Sequence, residues 1–182
     1  MKRPPPVAVI PASPGGAVLS ATLLDLMQAS TETAFAVTHI RLRALETVVS
    51  LLPGMQACRL VVGGFNAAGL AVPGAPDPAR RGCVEQLLLH ASSGRFEFRS
   101  AGAGRWNPDF SLYRLEGGGH FSVCMFGAHY LLPLDEVEWP LTCVLTRRAA
   151  VQEAHRHFEA LWASAHDVRP ALLSMLEQQL CG

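Results

Sequence analysis

Two compact, mostly apolar runs, Thr33 to Ile40 and Cys58 to Phe65, flank a stretch in which Leu42, Leu45, Val48, Val49 and Leu52 recur at helical spacing. Runs of this length without polar alternation fit strands covered on both faces, and Pro53-Gly54 stops the intervening helix. Strand, helix and strand in that order favour an α/β sheet.

The remaining pattern extends this reading. Residues 1–16 hold five prolines and two glycines and read as an extended leader, in which Val7 to Ile10 adds an edge strand. Helices are expected over Ala17 to Ala29, Ala79 to Ser92, Ala149 to Ala165 and Pro170 to Leu180, with a Gly- and Pro-rich loop over Ala67 to Pro78. In Arg95 to Arg99 the alternation puts Phe96 and Phe98 on one face and the charges on the other. Phe110 to Leu115 and Phe121 to Ala128 read as strands joined across Gly117-Gly118-Gly119, and Leu141 to Leu145 as a further buried strand. The fold expected is a mixed β-sheet flanked by helices.

Composition narrows the function classes. The 182 residues are 49% hydrophobic and 16% charged, enough to bury one core and too apolar for disorder. No apolar run approaches the ~20 residues that cross a bilayer, and Met1-Lys2-Arg3 with three prolines is no signal peptide, so a cytoplasmic protein with no membrane partner is expected. Five scattered cysteines without a Cys-x-x-Cys pair suggest neither a disulfide framework nor a zinc site, and no cofactor is expected. Basic and acidic residues balance at 15 each, so net charge gives no indication of nucleic acid, although a local patch would still permit it. The only lysine is Lys2. Every other basic residue is arginine, which holds oxyanions well but is no general base near neutral pH. An arginine-rich, lysine-poor chain also fits a GC-rich, bacterial genome.

Over roughly residues 17–165 the order of elements resembles the phospholipase D-like superfamily. That family carries H-x-K, four residues, then D, followed across a hairpin by G-S-x-N and later by a helix with a Phe–Trp pattern. Here Asp109-Phe110-Ser111, four residues and Glu116 occupy the first register, and Gly127-Ala128-His129-Tyr130 the second; Phe158 to Trp162 resembles the closing helix. The hairpin is four residues longer than the family spacing. The resemblance implies a phospholipase D-like domain over 17–168, after the leader of 1–16 and before a C-terminal helix of 169–182. It also implies pairing of two such halves about a two-fold axis, hence a homodimer or a partner protein.

In that family one histidine attacks phosphorus and a second protonates the leaving group, while lysines and asparagines hold the phosphoryl oxygens. Here Asp109 stands for the histidine, Ser111 for the lysine and Tyr130 for the asparagine; Glu116 keeps the acid and Gly127 the turn. The resemblance therefore implies a catalytically inactive protein that binds, scaffolds or regulates. The alternatives are a phosphodiesterase or nuclease using a displaced histidine, His120 or His129, and a nucleic-acid-binding module that does not cut. Arg99, Arg105 and Arg114 are candidate phosphate-binding side chains, with a solvated face neutralised by Glu97 and Glu116 as the competing reading. His155 and His157 lie two apart on a helix, about 200° apart around its axis, and are expected on its solvated surface rather than on a shared metal. His39 reads as a sheet-end histidine. The apolar side of Pro170 to Leu180 is a candidate contact surface.

Overall fold

Strands β2 (Ser30–Val37), β3 (Ala57–Val62) and β4 (Phe96–Ser100) form the parallel centre of the sheet, and the connections between them carry the helical segments. The computed structural model describes residues 7–10, 25–38, 48–50, 52–65, 78–102, 109–116, 118–126 and 141–181. Of the expected elements, the loop over 67–77, most of the helix at 17–29 and His39 lie outside the described residues.

Eight strands form one mixed sheet in the order β1-β7-β6-β5-β2-β3-β4-β8. The others are β1 (Val7–Ile10), β5 (Asp109–Leu115), β6 (His120–Phe126), β7 (Leu141–Leu145) and β8 (His166–Asp167). β1 is an edge strand, as its prolines suggest. β5 and β6 form the expected antiparallel hairpin, with Asp109 opposite Met125 and Arg114 opposite His120. At its turn Gly118 has φ +89°, a conformation that costs glycine little and any side chain more. β8 had no sequence signal, because two residues carry no periodicity; it pairs with Arg99 and Ser100 of β4.

Helices α1 (Pro78–Ser92), α2 (Arg148–Ser164) and α3 (Arg169–Cys181) flank the sheet. Strand alternation divides the core in two. Phe35, Leu60, Phe96, Phe98 and Tyr113 pack with Val84 and Leu87 of α1 and Leu172 and Leu176 of α3. Ala34, Ala36, Val61, Phe110 and Leu112 pack on the other face against Phe158 and Trp162 of α2. Both faces of β2 and β3 are thus covered, which is why their apolar runs lack the alternation seen in β4. Phe158 is fully buried, and truncating such a residue to alanine costs about 3–5 kcal/mol.

The C-terminal helix corrects one expectation. Leu172 and Leu176 are buried in the chain's own core, so the apolar side of this helix is not an open contact surface. Its start is tied by Asp167, whose Oδ1 accepts from the Arg169 backbone N–H at 2.9 Å. No described helix is long and apolar enough to cross a membrane.

Candidate functional site

The β5–β6 hairpin carries most of the candidate residues, and its two ends differ. At the start of β5, Asp109 is 2% exposed and Ser111 is fully buried. Alternation puts both on the face that carries Tyr113, toward α1 and α3. Asp109 Oδ1 accepts from the Thr38 backbone N–H at 2.9 Å and from the Thr38 hydroxyl at 2.7 Å. The carboxyl group thereby closes the C-terminal end of β2, whose ladder to β5 reaches Ala36 opposite Phe110. Such a group is held by internal donors and is not presented to a ligand.

Of the other motif positions, Glu116 is exposed at the opposite end of β5, beside the turn. Gly127, His129, Tyr130 and Arg105 lie outside the described residues.

The candidate arginines are drawn into other roles. Arg99 Nη1 donates to the Trp162 carbonyl at 3.0 Å, and its guanidinium stacks 4.4 Å from the Trp162 ring. Arg99 is on β4, three strands from β5 and on the face toward α2, so it does not meet Asp109. Arg114 pairs at 2.7 Å with Glu32, a partner 82 residues away, rather than with Glu97 or Glu116. Arg59, which the sequence reading passed over, lies over the Phe158 and Trp162 rings at 4.9 and 5.5 Å and pairs with Glu159 at 2.8 Å. Arg59 and Arg99 thus fasten the aromatic pair of α2 to the sheet.

His120 opens β6 at the turn end of the hairpin. Five residues of strand separate its partner Arg114 from Asp109, about 17 Å. Pairing with Arg114 also puts His120 on the α2 face, opposite the Asp109 face. His120 therefore shares neither end nor face with Asp109 and Ser111.

Its neighbour is His155 of α2, with ring centroids 5.9 Å apart and planes at 69°. This overturns the solvated-surface reading of His155, which is half-buried; its Nε2 is shielded and makes no hydrogen bond. Burial first, then the charge of His120, holds the His155 pKa below its ordinary 6.5, while Glu159 and Glu32 pull the other way. His157 is exposed and contacts a different residue, the Phe110 ring, at 5.6 Å. A signal for His155 existed in the sequence: Val151, His155, Phe158 and Trp162 fall at i, i+4, i+7 and i+11, the inward stripe of the helix.

Around the two histidines is an open cleft of about 900 Å³ lined by Gly118, His120, Thr146, Arg148, Val151, Gln152, His155 and Arg156. Among the described residues no three of His, Cys, Asp and Glu converge as a metal site. Cys58, buried beneath the sheet, has its thiol pushed up to about 12 by burial and is a packing residue.

No protein-family model matches the sequence, and no curated protein does. Solved structures do match. NucT from Helicobacter pylori superposes over 88% of this chain and 98% of its own, at TM-score 0.58 and 6% identity. The phospholipase D family member Nuc from Salmonella typhimurium superposes over 88% and 96%, at TM-score 0.56 and 11% identity. TrmBL2, an archaeal chromatin protein described with a novel mode of DNA binding, superposes over 90% of this chain at TM-score 0.54 and 11% identity. This chain spans about half of that protein, 54% of its length.

Proposed function

This chain has the phospholipase D-like fold, and from that premise we propose that it is a non-catalytic member of that fold, a dimeric subunit that binds or scaffolds without cleaving phosphodiesters. The observation that carries this reading is the burial of Asp109 and Ser111, with the Asp109 carboxyl group committed to Thr38. In the family that this chain resembles, a histidine and a lysine at the positions aligned with these two carry phosphoryl transfer. Here both positions are sealed, neither carries positive charge, and Lys2 is the only lysine. The nearly full-length matches to NucT and Nuc support a unit of one such domain, which is expected to pair about a two-fold axis.

The test is turnover of bis(p-nitrophenyl) phosphate, single-stranded DNA and RNA by the purified protein, beside its His120→Ala and His129→Ala variants. No turnover above background is expected from any of them. Metal-independent turnover abolished by either substitution would overturn the reading in favour of a displaced catalytic histidine. Light scattering across a concentration series checks the dimer, and a monomer throughout removes that part.

The likeness to a DNA-binding chromatin protein supports a second reading, nucleic-acid binding without cutting. It requires binding that falls steeply with salt; no binding to DNA or RNA at low salt removes it.

A further inference from the structure

The cleft beside the hairpin turn brings together side chains from two stretches of sequence: His120 of β6, and Thr146 after β7 with Arg148, Gln152, His155 and Arg156 of α2. Among the described residues, every polar side chain in this lining can donate a hydrogen bond and none is a carboxylate. Arg156 pairs with Glu153, whereas Arg148 is exposed and makes no ion pair among the described residues. The buried Nε2 of His155 is without a hydrogen-bond partner. A buried polar atom left unpaired costs about 1–3 kcal/mol, a cost that a turn of the His155 ring toward an occupant of the cleft would relieve. α2 adds to the same potential, since its first turn has no side-chain cap and no acidic residue.

We propose that this cleft is a binding site for a small oxyanion of the phosphate-monoester class, gripped by Arg148 and the His120–His155 pair. A volume of about 900 Å³ admits a small phosphorylated molecule, within the ~300–1,000 Å³ usual for such sites. Arg148 offers a forked pair of donors to two phosphate oxygens, and the two imidazoles supply N–H donors on the other side. A dianion beside it favours the protonated form of His155, against the burial and the His120 charge that otherwise lower its pKa. Glu32, Arg114, Arg59 and Glu159 set the surrounding field. The site lies about 17 Å along the hairpin from Asp109 and on the opposite sheet face, so it is separate from the motif positions.

Calorimetric titration of the full chain with inorganic phosphate, and separately with a nucleoside monophosphate, tests the site at pH 6.5. Histidine-ring NMR is recorded in parallel. Saturable binding is expected, with His120 and His155 resonances moving together and the His155 pKa rising. Arg148→Ala should weaken binding about tenfold or more, and Arg148→Lys less. Arg81→Ala, which removes a surface ion pair with Glu85 on α1, should bind as the parent does. Tighter binding of the nucleotide than of inorganic phosphate assigns the rest of the cleft to the organic part; equal binding leaves the phosphate as the recognised group. Non-saturable titration, equal loss in Arg81→Ala and Arg148→Ala, or strong preference for single-stranded DNA over both probes overturns the proposal. Phosphodiester cleavage is measured separately, so the non-catalytic reading and this site stand or fall independently.

Discussion

The two ends of the β5–β6 hairpin both hold polar side chains and use them in opposite ways. At the Asp109 end, a carboxyl group and a hydroxyl lie fully inside the protein and Thr38 satisfies the carboxyl oxygen. At the His120 end, two imidazoles and two arginines rim an open cleft, and one buried ring nitrogen has no partner. Polar groups satisfied by their own chain stabilise it. The end that the motif register marks is therefore the structural one, and the end without a motif is the accessible one.

The largest expected effect comes from reinstating the motif chemistry at the sealed end. Asp109→His with Ser111→Lys drives two larger side chains, one charged, into fully occupied space, and the urea midpoint should fall by the equivalent of about 4 kcal/mol or more. A stable double variant that hydrolyses bis(p-nitrophenyl) phosphate would break the contrast. A double-mutant cycle on Asp109→Ala and Thr38→Val is the next largest. The aspartate change should cost about 3 kcal/mol, and the coupling between the two should reach about 1 kcal/mol, since Thr38→Val removes the hydroxyl bond to Asp109 and keeps the backbone one. Additive losses would mean that the Thr38 hydroxyl is not what holds Asp109.

Acid titration sharpens the other side of the contrast. His155 at the cleft and His90 in the last turn of α1 both have pKa values below the ordinary 6.5, in each case through burial first, with Arg95 second for His90. Both folded sites thus favour the neutral ring. Their contribution to stability is complete above pH 6.5 and is lost as the pH falls below it, because the unfolded chain takes up protons that the folded one refuses. Each such histidine steepens the loss by at most about 1.4 kcal/mol per pH unit. Equilibrium unfolding between pH 7.5 and 5 should give a shallower slope for His90→Leu and for His155→Gln, and phosphate should flatten the parent slope through His155 alone. An unchanged slope in His155→Gln would place that ring in contact with water. The smallest effect belongs to the exposed Glu32–Arg114 pair, where Arg114→Ala should change stability by less than about 1 kcal/mol. A larger loss would give Arg114 a structural part in the hairpin.

The hairpin also shows how far local pattern reaches. Apolar runs, helical stripes and Gly117 to Gly119 made the strands, the longer helices and the turn legible, because periodicity and turn chemistry act over a few residues. What periodicity offered at α2 was partly overlooked: His155 falls on the inward stripe, but a polar residue there reads as an exception until its neighbour is known. The pairing of Arg114 with Glu32, the stacking of Arg59 and Arg99 on the α2 aromatics, and the closure of Asp109 on Thr38 join residues 63 to 103 positions apart, 82 and 71 among them.

By itself the sequence determined the α/β alternation, the β5–β6 hairpin and the absence of any lysine beyond Lys2. Only the tertiary structure decided that Asp109 and Ser111 face inward, that the C-terminal helix spends its apolar side on the core, and that His120 meets His155 at a basic cleft. The physical reason is that strand and helix periods specify which residues share a face. Which faces are then sealed, and which side chains are left without a partner, depends on contacts between segments that no local pattern encodes.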